Sequence, residues 1–268
     1  MRKYLQVFNV GIQNTLAYRL NFFFRALFNL IPLAATVFLW RTIYASKPVE
    51  SEVAGYELAQ MISYYLVVSI VSALTAVNED DWQIAAEIRD GQISQFLLKP
   101  IDYLSYRLVL FVAGRGVYLV TCVVPLGAFI AYYHVYFTFP SDPQTLLLFS
   151  IATLLTGLLQ FLTSYTMALL AFWILEIDTF IFILFAIEYL LGGHLFPLDI
   201  LPPAITSALV YTPFPYLLYF PVSIFIERTT GSAALLGLVV QLFWVIVAYV
   251  LARHVWHSGI RKYGAVGG

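Results

Sequence analysis

NEDDWQIAAEIRDGQISQFLLKPIDYLSYR, residues 78–107, holds nine of the chain's twenty-nine Lys, Arg, Asp and Glu residues. On either side of it the sequence is apolar in long runs. Of the 268 residues, 61% are hydrophobic and only 11% are charged, and the mean hydropathy is +0.85. Soluble domains carry about 25% charged residues. The chain therefore reads as an all-α integral membrane protein that keeps one polar element in water. A net charge of −1 gives no ground for a nucleic-acid partner.

A helix needs about 20 mostly apolar residues to cross a bilayer. Working outward from the charged island, residues 58–77 precede it, and 22–44 precede those, with Pro32 as a tolerated kink. After the island come 117–137, 145–175, 177–196 and 233–255. Six spans put both termini on one side. The positive-inside rule chooses that side. Arg2, Lys3, Arg19, Arg25, Arg89, Lys99, Arg107, Arg115, Arg253, Arg261 and Lys262 lie on it, against Arg41, Lys47 and Arg228 on the other. Both termini are expected in the cytoplasm. The turn Leu175-Glu176-Ile177-Asp178 is too short for a loop, so spans four and five are expected as a helical hairpin.

Ahead of the first span, Leu5, Phe8, Ile12, Leu16 and Leu20 recur at steps of three and four, with Lys3, Gln6, Gln13 and Asn14 away from that stripe. This spacing predicts a helix lying in the inner interface. No cleavable signal peptide is expected there. Tyr and Trp cluster near the ends of the apolar runs, as in interfacial belts. Cys122 stands alone, which excludes an internal disulfide and a cysteine metal cluster.

Within the island, Asn78, Glu79, Asp80 and Asp81 supply helix-capping and N-terminal negative charge. Trp82 to Arg89 are good helix formers, and Gly91 allows a bend or a C-cap. A second short helix follows over 92–98, with Ile93, Phe96 and Leu97 on one face, until Pro100 ends it. Such an element could dock into a groove on a soluble partner. An ordinary solvated loop with an interfacial helix fits the spacing equally well.

The run EIRDGQISQFLLKP, residues 87–100, resembles the first cytoplasmic loop of type-2 ABC transporter permeases. Ala171-Phe172-Trp173, the segment GGHLFPLDILPPAITSALVYTPFPYLLYFP (192–221) and the tail GIRKYGAVGG (259–268) are similar to that family in the same order. The resemblance implies a single permease domain over 1–268. It divides into an interfacial helix (1–21), spans one and two (22–77), a cytoplasmic coupling loop (78–107), spans three to five (108–196), a re-entrant outer region (197–232), and span six with its tail (233–268). It also implies the membrane subunit of a bacterial exporter in the inner membrane. That subunit would pair with a second permease chain, identical or related, and with two copies of a separate ATP-binding subunit. The coupling residues would be Glu87, Ile88, Arg89, Asp90, Gly91, Gln92, Ile93, Phe96, Leu97, Lys99 and Pro100. No G-x-x-x-x-G-K-[ST] phosphate loop occurs in this chain, so ATP and Mg belong to the partner and no cofactor is expected here.

Pro197, Pro202, Pro203, Pro213, Pro215 and Pro221 forbid one continuous helix after span five. The intervening residues are too apolar for an open loop, so helical pieces over 204–210 and 216–225 are expected to dip into the outer leaflet. Pathway or gate candidates are Tyr64, Tyr65 and Ser69 in span two, and Phe182, Phe185 and Glu188 in span five. Aromatic and hydroxyl groups suit an apolar or amphipathic cargo. Glu188 is the one acid well inside a span, either functional or a neutral packing residue. Arg25 and Arg115 read as snorkelling residues at the inner boundary. Thr156, Gln160, Thr163, Ser164 and Thr166 in span four read as interhelical hydrogen-bond groups.

Two other classes stand beside the exporter. A stand-alone secondary transporter would show internal repeats or broken helices with midplane ionisable groups, and no repeat is visible. An intramembrane enzyme would need a clustered nucleophile, base or metal ligands. One Glu and His194, six residues apart, do not share a helix face.

Overall fold

The computed structural model describes residues 2–48, 52–77, 80–174 and 176–266. Among them the only β-pairing is a bridge between Val53 and Tyr56; the rest is helix and connection. The helices are α1 (Arg2–Ala17), α2 (Arg19–Ala45), α3 (Leu58–Thr75), α4 (Asp80–Arg89), α5 (Ile93–Leu97), α6 (Tyr103–Tyr132), α7 (Pro143–Leu169), α8 (Asp178–Leu191), α9 (Pro203–Leu209), α10 (Tyr219–Phe225) and α11 (Gly231–Val266). Five of these elements, beginning at Arg19, Leu58, Tyr103, Pro143 and Gly231, are long and apolar enough to cross a membrane.

Local chemistry sets the helix starts. Glu57 and Gln60 form a capping box on α3. The Asp102 carboxylate accepts the Ser105 N–H at 3.0 Å to start α6, and Asp142 accepts the Gln144 N–H at 3.1 Å ahead of Pro143 to start α7. Helix α6 begins well before the expected span at 117. Its first turns are polar on one side, which hydropathy reads as loop, but Asp102 caps them and Tyr103 and Leu104 are buried.

The fifth expected span is shorter than forecast. Helix α8 has 14 residues, about 21 Å at 1.5 Å per residue, against a hydrocarbon core of about 30 Å. It stops at Gly192–Gly193 because the chain turns there with Gly193 at φ +92°. A Cβ at Gly193 would sit 2.7 Å from the Tyr64 hydroxyl and 2.9 Å from the Tyr219 Cβ, so only glycine fits. Of the turn before α8, Leu175 lies outside the described residues, as do Asn78 and Glu79 of the island and Gly267 and Gly268 of the tail.

Helices α3 and α7 form the centre, each with 56% of its apolar window buried, whereas α2 and α11 have 17% and 11%. The proline-rich segment between α8 and α11 folds back against that centre. Its piece α9 lies within one residue of the expected 204–210. The expected piece over 216–225 is instead divided at Leu218 into the 3-10 turn Phe214–Leu217 and α10; every residue from Phe220 to Phe225 is buried. The irregular backbone there needs partners, and α7 provides them. The Thr156 hydroxyl donates to the Tyr216 carbonyl at 2.9 Å, and Gln160 Nε2 donates to the Leu217 carbonyl at 2.7 Å. Gln241 of α11 also reaches the Tyr216 carbonyl, at 3.1 Å. Of the polar residues expected as interhelical groups, Thr156 also accepts from Gln241 of α11 at 2.9 Å, Gln160 acts on the 3-10 turn, and Thr166 bonds its own helix at Leu162.

Helix α1 packs along α6. The face it presents is Tyr4, Val7, Phe8, Gly11 and Thr15, and Leu5, Leu16 and Leu20 of the expected stripe stay exposed. Gly11 is the closest approach, since a Cβ there would lie 3.0 Å from that of Ala113.

Candidate functional site

The charged island forms an elbow. Helix α4 ends at Arg89, the chain turns through Gly91 at φ +75°, and α5 runs to Leu97 before Pro100. The bend is the glycine-dependent one read from the sequence. Its two sides differ sharply. Ile84, Ile88, Ile93 and Phe96 are buried in one cluster with Tyr103 and Leu104, and Ala85 joins Ile177 and Ile181 at the start of α8. Phe96 meets Tyr103 edge-on at 4.8 Å, and Tyr103 stacks on Trp256 of α11 at 4.7 Å.

Three polar straps fix the elbow. Glu87 pairs with Arg107 and accepts the Tyr103 hydroxyl at 2.7 Å; Arg107 Nε donates to the same Tyr103 oxygen at 3.1 Å. Asp102 pairs with Arg253 of α11 at 2.5 Å. The Tyr263 hydroxyl, ten residues further along α11, donates to the Gly91 carbonyl at 3.0 Å. Burial pushes the Asp102 carboxyl up, but the Ser105 N–H and the Arg253 guanidinium outweigh it and hold the group below its ordinary value.

Of the expected coupling residues, Glu87, Ile88, Ile93 and Phe96 therefore turn into the protein. Arg89, Asp90, Gln92, Leu97, Lys99 and Pro100 face outward around Gly91. The structure adds Ser94, Gln95 and Leu98 to the outward face, with Leu98 87% exposed. It also adds Asp102, Tyr103, Arg107, Arg253 and Tyr263 as supports. The Asp102–Ser105 cap spacing was a readable signal for the first of these; the α11 partners had none.

The second feature is a cavity of about 380 Å³ between α2, α3, α6 and α8. Tyr65, Ser69 and Phe185 of the expected pathway set line it. Tyr64 does not: it is fully buried and its hydroxyl donates to the Gly193 carbonyl at 2.5 Å. Tyr65 donates to the Leu195 carbonyl at 2.7 Å, so the two tyrosines staple α3 to the turn after α8. Phe182 is 66% exposed on the outside of α8, and Glu188 is absent from the cavity wall.

At the end of the molecule opposite the elbow, the Tyr56 hydroxyl donates to the Asp199 carboxylate at 2.8 Å. The Arg228 guanidinium lies over the Tyr56 ring, 3.9 Å from its centroid, and bonds the Gly55 carbonyl. This knot ties the α2–α3 connection to the proline-rich segment.

Residues 30–267 match the family described as ABC-2 family transporter protein. No curated protein matches the chain. The match runs from within α2 through the elbow, the central pair α3 and α7, the proline-rich segment and α11. With nearly the whole length matched, this multi-pass, all-helical chain belongs to the ABC-2 family of transporter membrane proteins.

Proposed function

We propose that this chain is the permease subunit of an ATP-driven exporter, and that the α4–α5 elbow receives the force of a separate ATP-binding subunit. The supporting observation is the elbow's two-sidedness. Its apolar side is buried and strapped to α6, α7, α8 and α11, while its outward face carries charge, amide and two exposed leucines, Leu97 and Leu98. A push on such a face moves the helices it is strapped to as one body, the kind of packed-element motion that switches transporters.

In this reading the elbow and both termini are cytoplasmic, α8 completes a sixth crossing together with the turn beyond it, and α10 is re-entrant from the outer side. Two permease chains, identical or related, sit over two ATP-binding subunits in a bacterial inner membrane. The α2–α3–α6–α8 cavity belongs to the path of an apolar or amphipathic cargo. Helix α1 lies at the inner interface.

The test uses the outward face. Leu98→Asp and Lys99→Glu should leave folding unchanged and abolish stimulation of the ATP-binding subunit's hydrolysis by the permease. Full stimulation in both variants would sink the proposal.

A further inference from the structure

Among the described residues, one imidazole lines the α2–α3–α6–α8 cavity, that of His194. The backbone is pinned on both sides of it: the Gly193 carbonyl accepts the Tyr64 hydroxyl, and the Leu195 carbonyl accepts the Tyr65 hydroxyl at 2.7 Å. The ring of Tyr189, also in the cavity wall, meets the imidazole edge-on at 5.0 Å. Helices α3 and α8 thus hold the backbone and the ring. The ring nitrogens are not held. Nδ1 is buried with no hydrogen-bond partner among the described residues, and none of those residues bonds Nε2.

The hydroxyl protons of the wall are already spent. Tyr65 gives its proton to Leu195. Ser69 Oγ donates to the Tyr65 carbonyl at 2.9 Å, and Thr36 Oγ1 donates to the Pro32 carbonyl at 2.9 Å. These three oxygens keep lone pairs for a further donor. Much of the remaining wall is apolar, with Leu30, Leu33, Val68, Leu126 and Phe185.

We infer that this cavity takes an uncharged, apolar molecule carrying a hydroxyl, and that His194 is the residue that selects it. A neutral imidazole has one nitrogen that donates and one that accepts. A hydroxyl answers either nitrogen, and its proton also suits the lone pairs of Ser69 and Thr36. A carboxylate would face those same lone pairs with like charge. A cation finds no Asp or Glu among the described residues of the wall, whose charged members, Arg25 and Arg115, are both basic. A plain hydrocarbon leaves the imidazole without a partner, which is costly for a buried polar group. This selection deepens the permease reading and rests on it for the cavity's place in a cargo path.

The full-length protein in a neutral maltoside detergent is assayed with tritiated 4-phenylphenol by scintillation proximity, with biphenyl and 4-phenylbenzoate as competitors. 4-Phenylphenol should bind saturably and about fivefold or more tightly than biphenyl, the worth of one net hydrogen bond. It should also bind more tightly than 4-phenylbenzoate. His194→Phe should erase the preference for the hydroxyl and leave biphenyl bound, whereas His194→Gln, with a donor and an acceptor, should restore part of it. Ser72→Phe, on the cavity wall, should weaken both ligands. In protein with 15N-labelled histidines, 4-phenylphenol should move the one ring signal that His194→Gln removes. A His194 that merely supports the fold would not respond in this way, and this signal decides alone if His194→Phe does not fold. Absence of saturable binding, equal binding of 4-phenylphenol and biphenyl, tighter binding of the benzoate, a preference that survives His194→Phe, or an unmoved His194 signal overturns the inference. If the preference is missing while Leu98→Asp still uncouples the ATPase, this inference alone falls. If it is present while Leu98→Asp and Lys99→Glu keep full stimulation, the permease reading falls and the hydroxyl site stands.

Discussion

Arg107 shows what one charge demands of its surroundings. It is 3% exposed, and Glu87 and Tyr103 are the groups that compensate it. Glu87→Gln keeps the shape and removes the charge. Breaking a buried pair costs about 3–5 kcal/mol, and the lower end is expected because the Glu87 side chain is 32% exposed. Thermal unfolding in detergent measures it, and no fall in melting temperature would refute the assignment. Gly193→Ala should cost about 1–3 kcal/mol from its positive φ alone and should also displace the Tyr64 hydroxyl. Gly114→Ala, in the interior of α6 where a Cβ would meet nothing within 4 Å, is the control and should leave stability unchanged or raise it by up to about 1 kcal/mol. For Asp102 the sign follows from its lowered value. The pair with Arg253 contributes fully above the ordinary 3.8 and is lost as pH falls below it. Asp102→Asn should therefore melt lower than the parent at neutral pH, with the gap closing as the medium is acidified below that point.

Among the helices, the elbow was largely legible because glycine bends and proline stops are local chemistry. Its inward face was only half legible. Ile93, Phe96 and Leu97 share a stripe in the sequence, but packing takes Ile93 and Phe96 inside and leaves Leu97 out. Helix α6 was misread at its start because hydropathy weighs the polar Asp102, Ser105 and Arg107 without seeing that they cap or pair. Helix α8 was read too long because an apolar run continues past Gly192, where the close approach of Tyr64 and Tyr219 forces the turn. The proline-rich pieces were well placed, since proline alone dictates where helix cannot continue. What their carbonyls bond was not. Gln160→Leu removes the donor to a buried carbonyl and should cost about 1–3 kcal/mol, read as a lower melting temperature. Equal melting of variant and parent would show that α7 does not hold the folded-back segment.

Taken as one body, the molecule has a buried centre and two outer helices with little cover. Helices α3 and α7 are wrapped by the chain itself, while α2 and α11 present Phe24, Phe28, Phe38, Leu236, Val239 and Phe243 outward. The elbow's straps run to α6 and α11, and the knot of Tyr56, Asp199 and Arg228 closes the other end. Tyr263→Phe removes the strap from the end of α11 to the Gly91 carbonyl. We expect it to preserve binding of the ATP-binding subunit and to lower ATPase stimulation several-fold. Unchanged stimulation would show that α11 carries none of the force.

Composition alone placed this chain in a membrane, because no soluble core accommodates 61% hydrophobic residues with 11% charged. Helix positions, the elbow's bend and the broken outer segment likewise followed from residue type and spacing, which act within a turn or two of chain. Which side of each helix faces inward, where α8 stops, and which groups compensate Arg107 were settled only by packing between residues far apart in the chain.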